Sequence, residues 1–139
     1  MAPTSEDDPG RPGVGVDPAP VGLLESICRS GRVWSDLAVQ YGVTNPDPPW
    51  RIALDATCDI LAAESCAKPN VRADAGPGVL PALERRAEED DLSATVYADV
   101  PFPERQLLAL AHSMIRRGLF DEAELARRMK QVQERLTAT

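Results

Sequence analysis

The chain has 139 residues, with 15 Lys or Arg against 22 Asp or Glu and a formal net charge of −7. This length suits one domain at most. The acidic balance argues against a nucleic-acid partner, because phosphate binding needs a basic surface. No apolar run approaches the ~18 residues of a membrane span, and the first residues lack a signal-peptide pattern. We therefore expect a cytoplasmic protein with no membrane partner.

Residues 1–20 are predicted to form an extended arm. They contain five of the 13 prolines and no aromatic residue, so they have little surface to bury on folding. Such a segment is disordered or wraps a partner chain. Residues 21–49 then form short helices and a Pro-rich linker, because the prolines near residue 48 cannot continue a helix. One helix is expected from Val21 to Val33, and another, capped by Ser35 or Asp36, to Tyr41.

Residues 50–139 are predicted to form a helical domain. A helix begins near Trp50 and continues to about Cys66, with Leu54, Cys58 and Leu61 on one face. The three cysteines form no CxxC motif and are expected to be reduced, and Cys58 and Cys66 are expected to be small packing residues at helix positions. Pro81 suits the first turn of the next helix, which is expected to run to about Glu89.

The domain is predicted to end in an αα-hairpin, entered through an extended lead from Thr95. Gly118 ends the first helix, because glycine readily takes the left-handed cap conformation. Asp121 caps the second helix, with Glu124 three residues later as in a capping box. Each helix of the hairpin has one apolar face. The face of the first helix consists of Leu107, Leu110, Ala111, Met114 and Ile115, and that of the second consists of Leu125, Met129, Val132 and Leu136. The fold class that follows is all-α, with no convincing strand.

The chain alone shows no catalytic set. It has no Ser/His/Asp arrangement, no phosphate-binding loop and no cysteine cluster for a metal. His112, the single histidine, is expected at the edge of an apolar helix face. By themselves the charges from Glu84 to Asp91 predict a solvated helix face.

Several motifs in a fixed order resemble a known family. They are Trp50 followed by ALDATCDILA, the Glu84-Arg85-Arg86 triplet, the TVY sequence ending at Tyr97, a proline-aromatic pair, and the final helices ending in QERL. This set is similar to the thiocyanate hydrolase β subunit and to the N-terminal half of the nitrile hydratase β subunit. The resemblance covers roughly Trp50 to Leu136, with an insertion at 67–79.

The resemblance implies a β-type subunit, without a metal of its own, of a heteromeric nitrile hydratase, a lyase that hydrates nitriles to amides. Its partners would be an α-type subunit carrying cobalt or iron and a second, SH3-like β-type chain. Two alternatives stay within the family: a thiocyanate hydrolase β subunit, and a maturation accessory protein that binds the metal subunit without taking part in turnover. An unrelated helical adaptor is the alternative outside it.

The resemblance also implies site residues. Arg86 occupies the position of an arginine that contacts the oxidised cysteine ligands of the partner's metal, and Arg85 is the substitute if the register shifts by one. A planar guanidinium can donate two charge-assisted hydrogen bonds to sulfur oxygens. After the TVY the family has two adjacent aromatic residues and, three residues later, a bulky residue near the substrate pocket, and here these positions read Phe102, Pro103 and Gln106. This departure implies a wider and more polar pocket, and hence a polar or heteroaromatic nitrile. Tyr97 is either a core residue or an edge of that pocket.

Overall fold

The computed structural model describes residues 16–62 and 80–138, and these residues contain six helices and no strand. The all-α prediction is thereby confirmed. No helix within these ranges is long and apolar enough to cross a membrane. The helices are α1 (Gly22–Arg29), α2 (Trp34–Tyr41), α3 (Arg51–Leu61), α4 (Ala82–Ala94), α5 (Glu104–Arg116) and α6 (Glu122–Thr137). The predicted arm up to residue 15, and Cys66 at the expected end of α3, lie outside the described residues.

The start of α2 differs from the prediction. Neither Ser35 nor Asp36 caps it, because the helix already begins at Trp34, and its N-cap residue Val33 has no side-chain cap. The backbone amide of Trp34 donates instead to a carboxylate oxygen of Glu104 in α5. A distant helix thus supplies the acceptor that a local side chain was expected to give.

Helix α4 is longer than predicted, because it continues past Glu89 to Ala94. Leu92 in this added turn is fully buried, so packing against the core extends a segment whose polar composition gave no such signal. The residues after it also differ from the extended lead that was expected. Residues 95–99 form turns, and the amide of Tyr97 donates to the carbonyl of Leu92 at 2.9 Å.

The turn between α5 and α6 follows its prediction closely. Gly118 adopts a φ of +75°, the left-handed conformation that ends a helix. Asp121 accepts a hydrogen bond from the amide of Glu124 at 2.7 Å, which is the predicted cap. The local sequence determines this turn because all of its partners lie within a few residues of each other.

Two apolar clusters form the core. The first joins α1, α4, α5 and the turn residue Tyr97, and its buried members are Val21, Leu24, Leu92, Tyr97, Leu108 and Ala109. The second joins α3 to α5, and its buried members are Leu54, Cys58, Leu61, Leu80 and Leu110. Helix α5 therefore contributes to both clusters and is the central element of the fold.

Helix α6 contributes less to the core than its apolar stripe predicts. Leu125 packs against the first cluster, and Glu122 accepts a hydrogen bond from the amide of Leu23 at 2.7 Å. No residue of this 16-residue helix is fully buried. Met129 and Val132 are each about two-fifths exposed, and Leu136 is 81% exposed. The first turn of α6 is thus anchored, while the rest extends beyond the core.

Among the described helices, α4 and α5 share the most extensive contact. A cluster of ion pairs joins the two helices at one end of this contact. Arg117, just after α5, lies 2.8 Å from Glu84 and 3.1 Å from Glu88, both on α4. Glu88 is only 3% exposed, so its carboxylate depends on this cation for compensation.

We expect Arg117→Met to lower the free energy of unfolding by about 2 kcal/mol, less than for a fully buried pair because Arg117 is partly hydrated. The reason is that the buried Glu88 carboxylate loses its counter-ion. The double variant Arg117→Met/Glu88→Met should recover most of the loss, because it removes the stranded charge as well. Urea denaturation followed by circular dichroism measures both.

A control, Arg127→Met on the exposed side of α6, should change the free energy of unfolding little. An equally large loss there would contradict this account of Arg117.

Candidate functional site

Helix α4 presents its two neighbouring arginines in different environments. Arg85 is half-buried, and its Nη1 lies 3.7 Å from Oε1 of Glu89. Arg86 is exposed. Successive residues of an α-helix point about 100° apart, so a shift of one residue changes which arginine faces a partner. The structure does not bring the two into one site.

The half-buried Arg85 lies at the side of α4 near α3. Burial raises the pKa of the Cys58 thiol, although the positive charge of Arg85 opposes this. Burial also raises the pKa of Glu89, against the opposing charge of Arg85. A thiol with a raised pKa remains protonated and is a poor nucleophile. Cys58 therefore acts as a packing residue, in keeping with its place in the second apolar cluster.

Three buried side-chain atoms on α4 and α5 have no hydrogen-bond partner among the residues that the structure describes: Nε of Arg85, Oε2 of Glu88 and Oε1 of Gln106. Most buried polar groups in proteins are paired, and an unpaired one costs free energy. Gln106 is one of the residues that the resemblance placed at a substrate pocket, and its carbonyl oxygen is unused. Because these atoms are shielded from solvent, they cost stability and do not by themselves form an open site on the α4–α5 pair.

Phe102 precedes α5 and is 56% exposed. The guanidinium carbon of Arg51, at the start of α3, lies 4.9 Å from the centre of its ring. This distance is typical of a cation–π contact. Phe102 is therefore held at the surface by α3 and is accessible to a ligand, as a pocket-lining residue must be.

Tyr97 is not accessible in the same way. It is 1% exposed and belongs to the first apolar cluster. Its hydroxyl lies 2.8 Å from Nδ1 of His112. Of the two roles that the sequence left open, the structure places Tyr97 in the core, so it lines no accessible pocket within the folded chain.

The expectation for His112 was wrong, because this residue is fully buried instead of lying at a helix edge. Its Nε2 lies 2.7 Å from the backbone carbonyl of Asp17, and a carbonyl can only accept. Nε2 must therefore carry the proton, and Nδ1 accepts from the hydroxyl of Tyr97. A hydrogen-bond partner for each ring nitrogen, Tyr97 on one side and the Asp17 carbonyl on the other, explains how His112 can be buried, which the sequence pattern could not reveal.

The structure also forms a cavity that sequence reasoning missed. It has a volume of about 310 Å³ and lies between α1, α2 and the start of α5. Trp34 and Trp50 line it together with Cys28, Asp99 and Glu104. These residues come from four separated segments, so no local pattern could have indicated them.

Within residues 16–62 and 80–138, no group of three His, Cys, Asp or Glu side chains is arranged to hold a metal ion. Comparison of the chain with protein-family models, with curated proteins and with solved structures found no match. The candidate site is therefore interpreted from its own chemistry and from the resemblance in its motifs.

The buried His112 predicts a pH-dependent stability. Burial lowers the pKa of His112 from its ordinary 6.5, so the unfolded chain takes up a proton before the folded chain does. The stabilisation is complete above about pH 6.5 and is lost as the pH falls through the lower pKa of the folded state. We expect the free energy of unfolding to drop by about 1 kcal/mol per pH unit in that range. Urea denaturation at several pH values measures this, and His112→Gln should remove the dependence; the same slope in both proteins would contradict it.

Proposed function

We propose that the chain is a β-type subunit of a cytoplasmic, heteromeric nitrile hydratase-type lyase. In this function it carries no metal and completes the active site of an α-type subunit that binds cobalt or iron. A second β-type chain with an SH3-like fold completes the enzyme. The reaction would be the hydration of a nitrile to an amide.

The observation that carries this proposal is the outward face of α4. Leu83 is 74% exposed, and Arg86 lies three residues later, on the same side of the helix. If another chain covered this face, it would bury the apolar side chain of Leu83 and offer the guanidinium of Arg86 an acceptor. Arg86 is thus accessible for the contact that the resemblance assigns to it.

The chemistry of such a contact suits arginine. Its guanidinium stays protonated and can donate two parallel hydrogen bonds to the oxygens of oxidised cysteine ligands. These bonds withdraw electron density from the ligands, and the partner's metal, when bound, supplies Lewis acidity toward the nitrile. Arg85 is the weaker candidate, because Glu89 already neutralises part of its charge.

Two further residues would line the substrate side. Phe102 is exposed, and the side-chain oxygen of Gln106 is buried without a hydrogen-bond partner among the described residues. A polar or heteroaromatic nitrile is the substrate class that the departures from the family imply, and it would reach that oxygen only if the side chains around Gln106 moved on assembly. Tyr97 would not contact the substrate, because it is buried in the first apolar cluster.

The subunit proposal is tested by the protein composition of the purified enzyme complex. Expressed with candidate α-type and SH3-like chains, the protein should purify in a fixed stoichiometric complex, measured by native mass spectrometry. A maturation accessory protein would instead bind transiently and be lost from the active enzyme. Full activity of a complex that lacks this chain would overturn the proposal. Hydrolysis of thiocyanate in place of nitriles would favour the thiocyanate hydrolase alternative.

The role of Arg86 is tested by Arg86→Lys in the assembled enzyme. Lysine keeps the positive charge but cannot donate through the two-point fork. Assembly and metal content should be unchanged, while turnover should fall by roughly ten- to a hundredfold or more, as for other groups that orient metal ligands. The matched control is Arg85→Lys, which should have a much smaller effect. Activity of Arg86→Lys near the wild-type level would show that Arg86 is only a surface charge.

A further inference from the structure

The apolar stripe of α6 that the core leaves exposed lines an open groove beside α1. This α1–α6 groove has a volume of about 830 Å³. Leu23 and Arg32 form one side, and α6 from Leu125 to Thr137 forms the other. The apolar side chains on the α6 side are Leu125, Ala126, Met129, Val132 and Leu136.

The charge of the groove is opposite to that of the chain. Among the described residues, its lining includes the cations Arg32, Arg128 and Lys130 and no Asp or Glu, although the chain has a formal net charge of −7. Three cations around an apolar floor match a ligand that is apolar in the middle and acidic at its edges.

The spacing along α6 specifies the shape of that ligand. Leu125, Met129, Val132 and Leu136 are separated by four, three and four residues, which is the alternation of a coiled-coil seam. Arg128 and Arg135 each precede a seam residue by one position and lie along the same flank of the helix. A seam of this spacing accepts the apolar face of another helix, and its flank favours carboxylates on that helix.

We propose that the α1–α6 groove binds an acidic amphipathic helix of a partner chain. The apolar face of the partner helix would cover Met129, Val132 and Leu136, and its carboxylates would face Arg32, Arg128 and Arg135. The inference goes beyond the proposed function, because it does not depend on the reaction that the assembly performs.

A second copy of the chain is a poorer occupant. In an antiparallel pair of α6 helices, the flank that carries Arg128 would face the flank that carries Arg135 of the copy, and like charges would repel. A parallel pair would place Arg128 opposite Gln133, without complementary charge. An anionic membrane surface is also a poorer occupant, since the seam has no aromatic residue and the net charge of −7 opposes adsorption.

The test uses the full chain and two synthetic peptides of roughly three heptads with leucine at the seam positions. One peptide has glutamate at the flanking positions, and the other has lysine there. We expect the glutamate peptide to bind about tenfold or more tightly than the lysine peptide, with an affinity that falls as salt is added. Fluorescence anisotropy of the labelled peptides measures both. Equal binding, or no binding of the glutamate peptide, would overturn the proposal.

Reversing the charges of the α1–α6 groove tests whether the peptides bind there. The variant Arg32→Glu/Arg128→Glu/Arg135→Glu should exchange the preference, so that the lysine peptide binds more tightly. The matched control Arg127→Glu, on the exposed side of the same helix, should keep the preference for the glutamate peptide. Circular dichroism verifies that both variants are folded. If the variant should lose its fold, Val132→Gln, which disrupts only the seam, should weaken binding of the glutamate peptide, and unchanged binding would overturn the proposal.

Two further outcomes would also overturn it. A concentration-dependent dimer in light scattering that Val132→Gln abolishes would assign the groove to a second copy. Binding to vesicles with anionic lipid that exceeds binding to the glutamate peptide would assign it to a membrane surface.

Discussion

The packing of this chain depends on one buried hydrogen-bonded series. The hydroxyl of Tyr97 donates to His112, and His112 donates to the backbone carbonyl of Asp17. It joins three distant parts of the sequence: the turn after α4, the middle of α5 and the residues before α1. Because every polar atom in the series has its partner, it can be buried at little cost, and it places the first apolar cluster around α5.

The α4–α5 pair separates two kinds of surface. On the inner side, Arg117 neutralises the buried Glu88, and Leu92 and Leu108 fill the first cluster. On the outer side, Leu83 and Arg86 face solvent. The inner contacts fix α4 against α5, so Leu83 and Arg86 stay on the side of α4 that faces away from the core.

The chain leaves much apolar surface uncovered. Exposed large side chains occur on α2, α3, α4 and α6, among them Val39, Ile52, Leu83 and Leu136. Single exposed apolar residues are ordinary. Here, however, they accompany specific charges: Arg86 beside Leu83, and Arg128 and Arg135 beside the seam of α6. Both proposals therefore describe the chain as part of an assembly, with the α4 face and the α1–α6 groove as separate contacts on different helices.

The sequence by itself determined the all-α class, the approximate places of the helices and the turn between α5 and α6, because these depend on neighbours a few residues apart, whereas packing set the last turn of α4 and the cap of α2. Gly118 and Asp121 behave as their residue types require. The resemblance assigned Arg86 a role, but the local pattern could not tell an exposed arginine from a half-buried one, since that difference depends on which side of α4 meets α3 and α5. Only the tertiary structure decided that His112 is buried, that Glu104 accepts a hydrogen bond from the first amide of α2, and that the apolar stripe of α6 stays outside the core. For His112 and Glu104 the partner lies 95 and 70 residues away, and the stripe of α6 stays exposed because the described core does not extend along it. Periodicity along the chain carries no information about such distant packing.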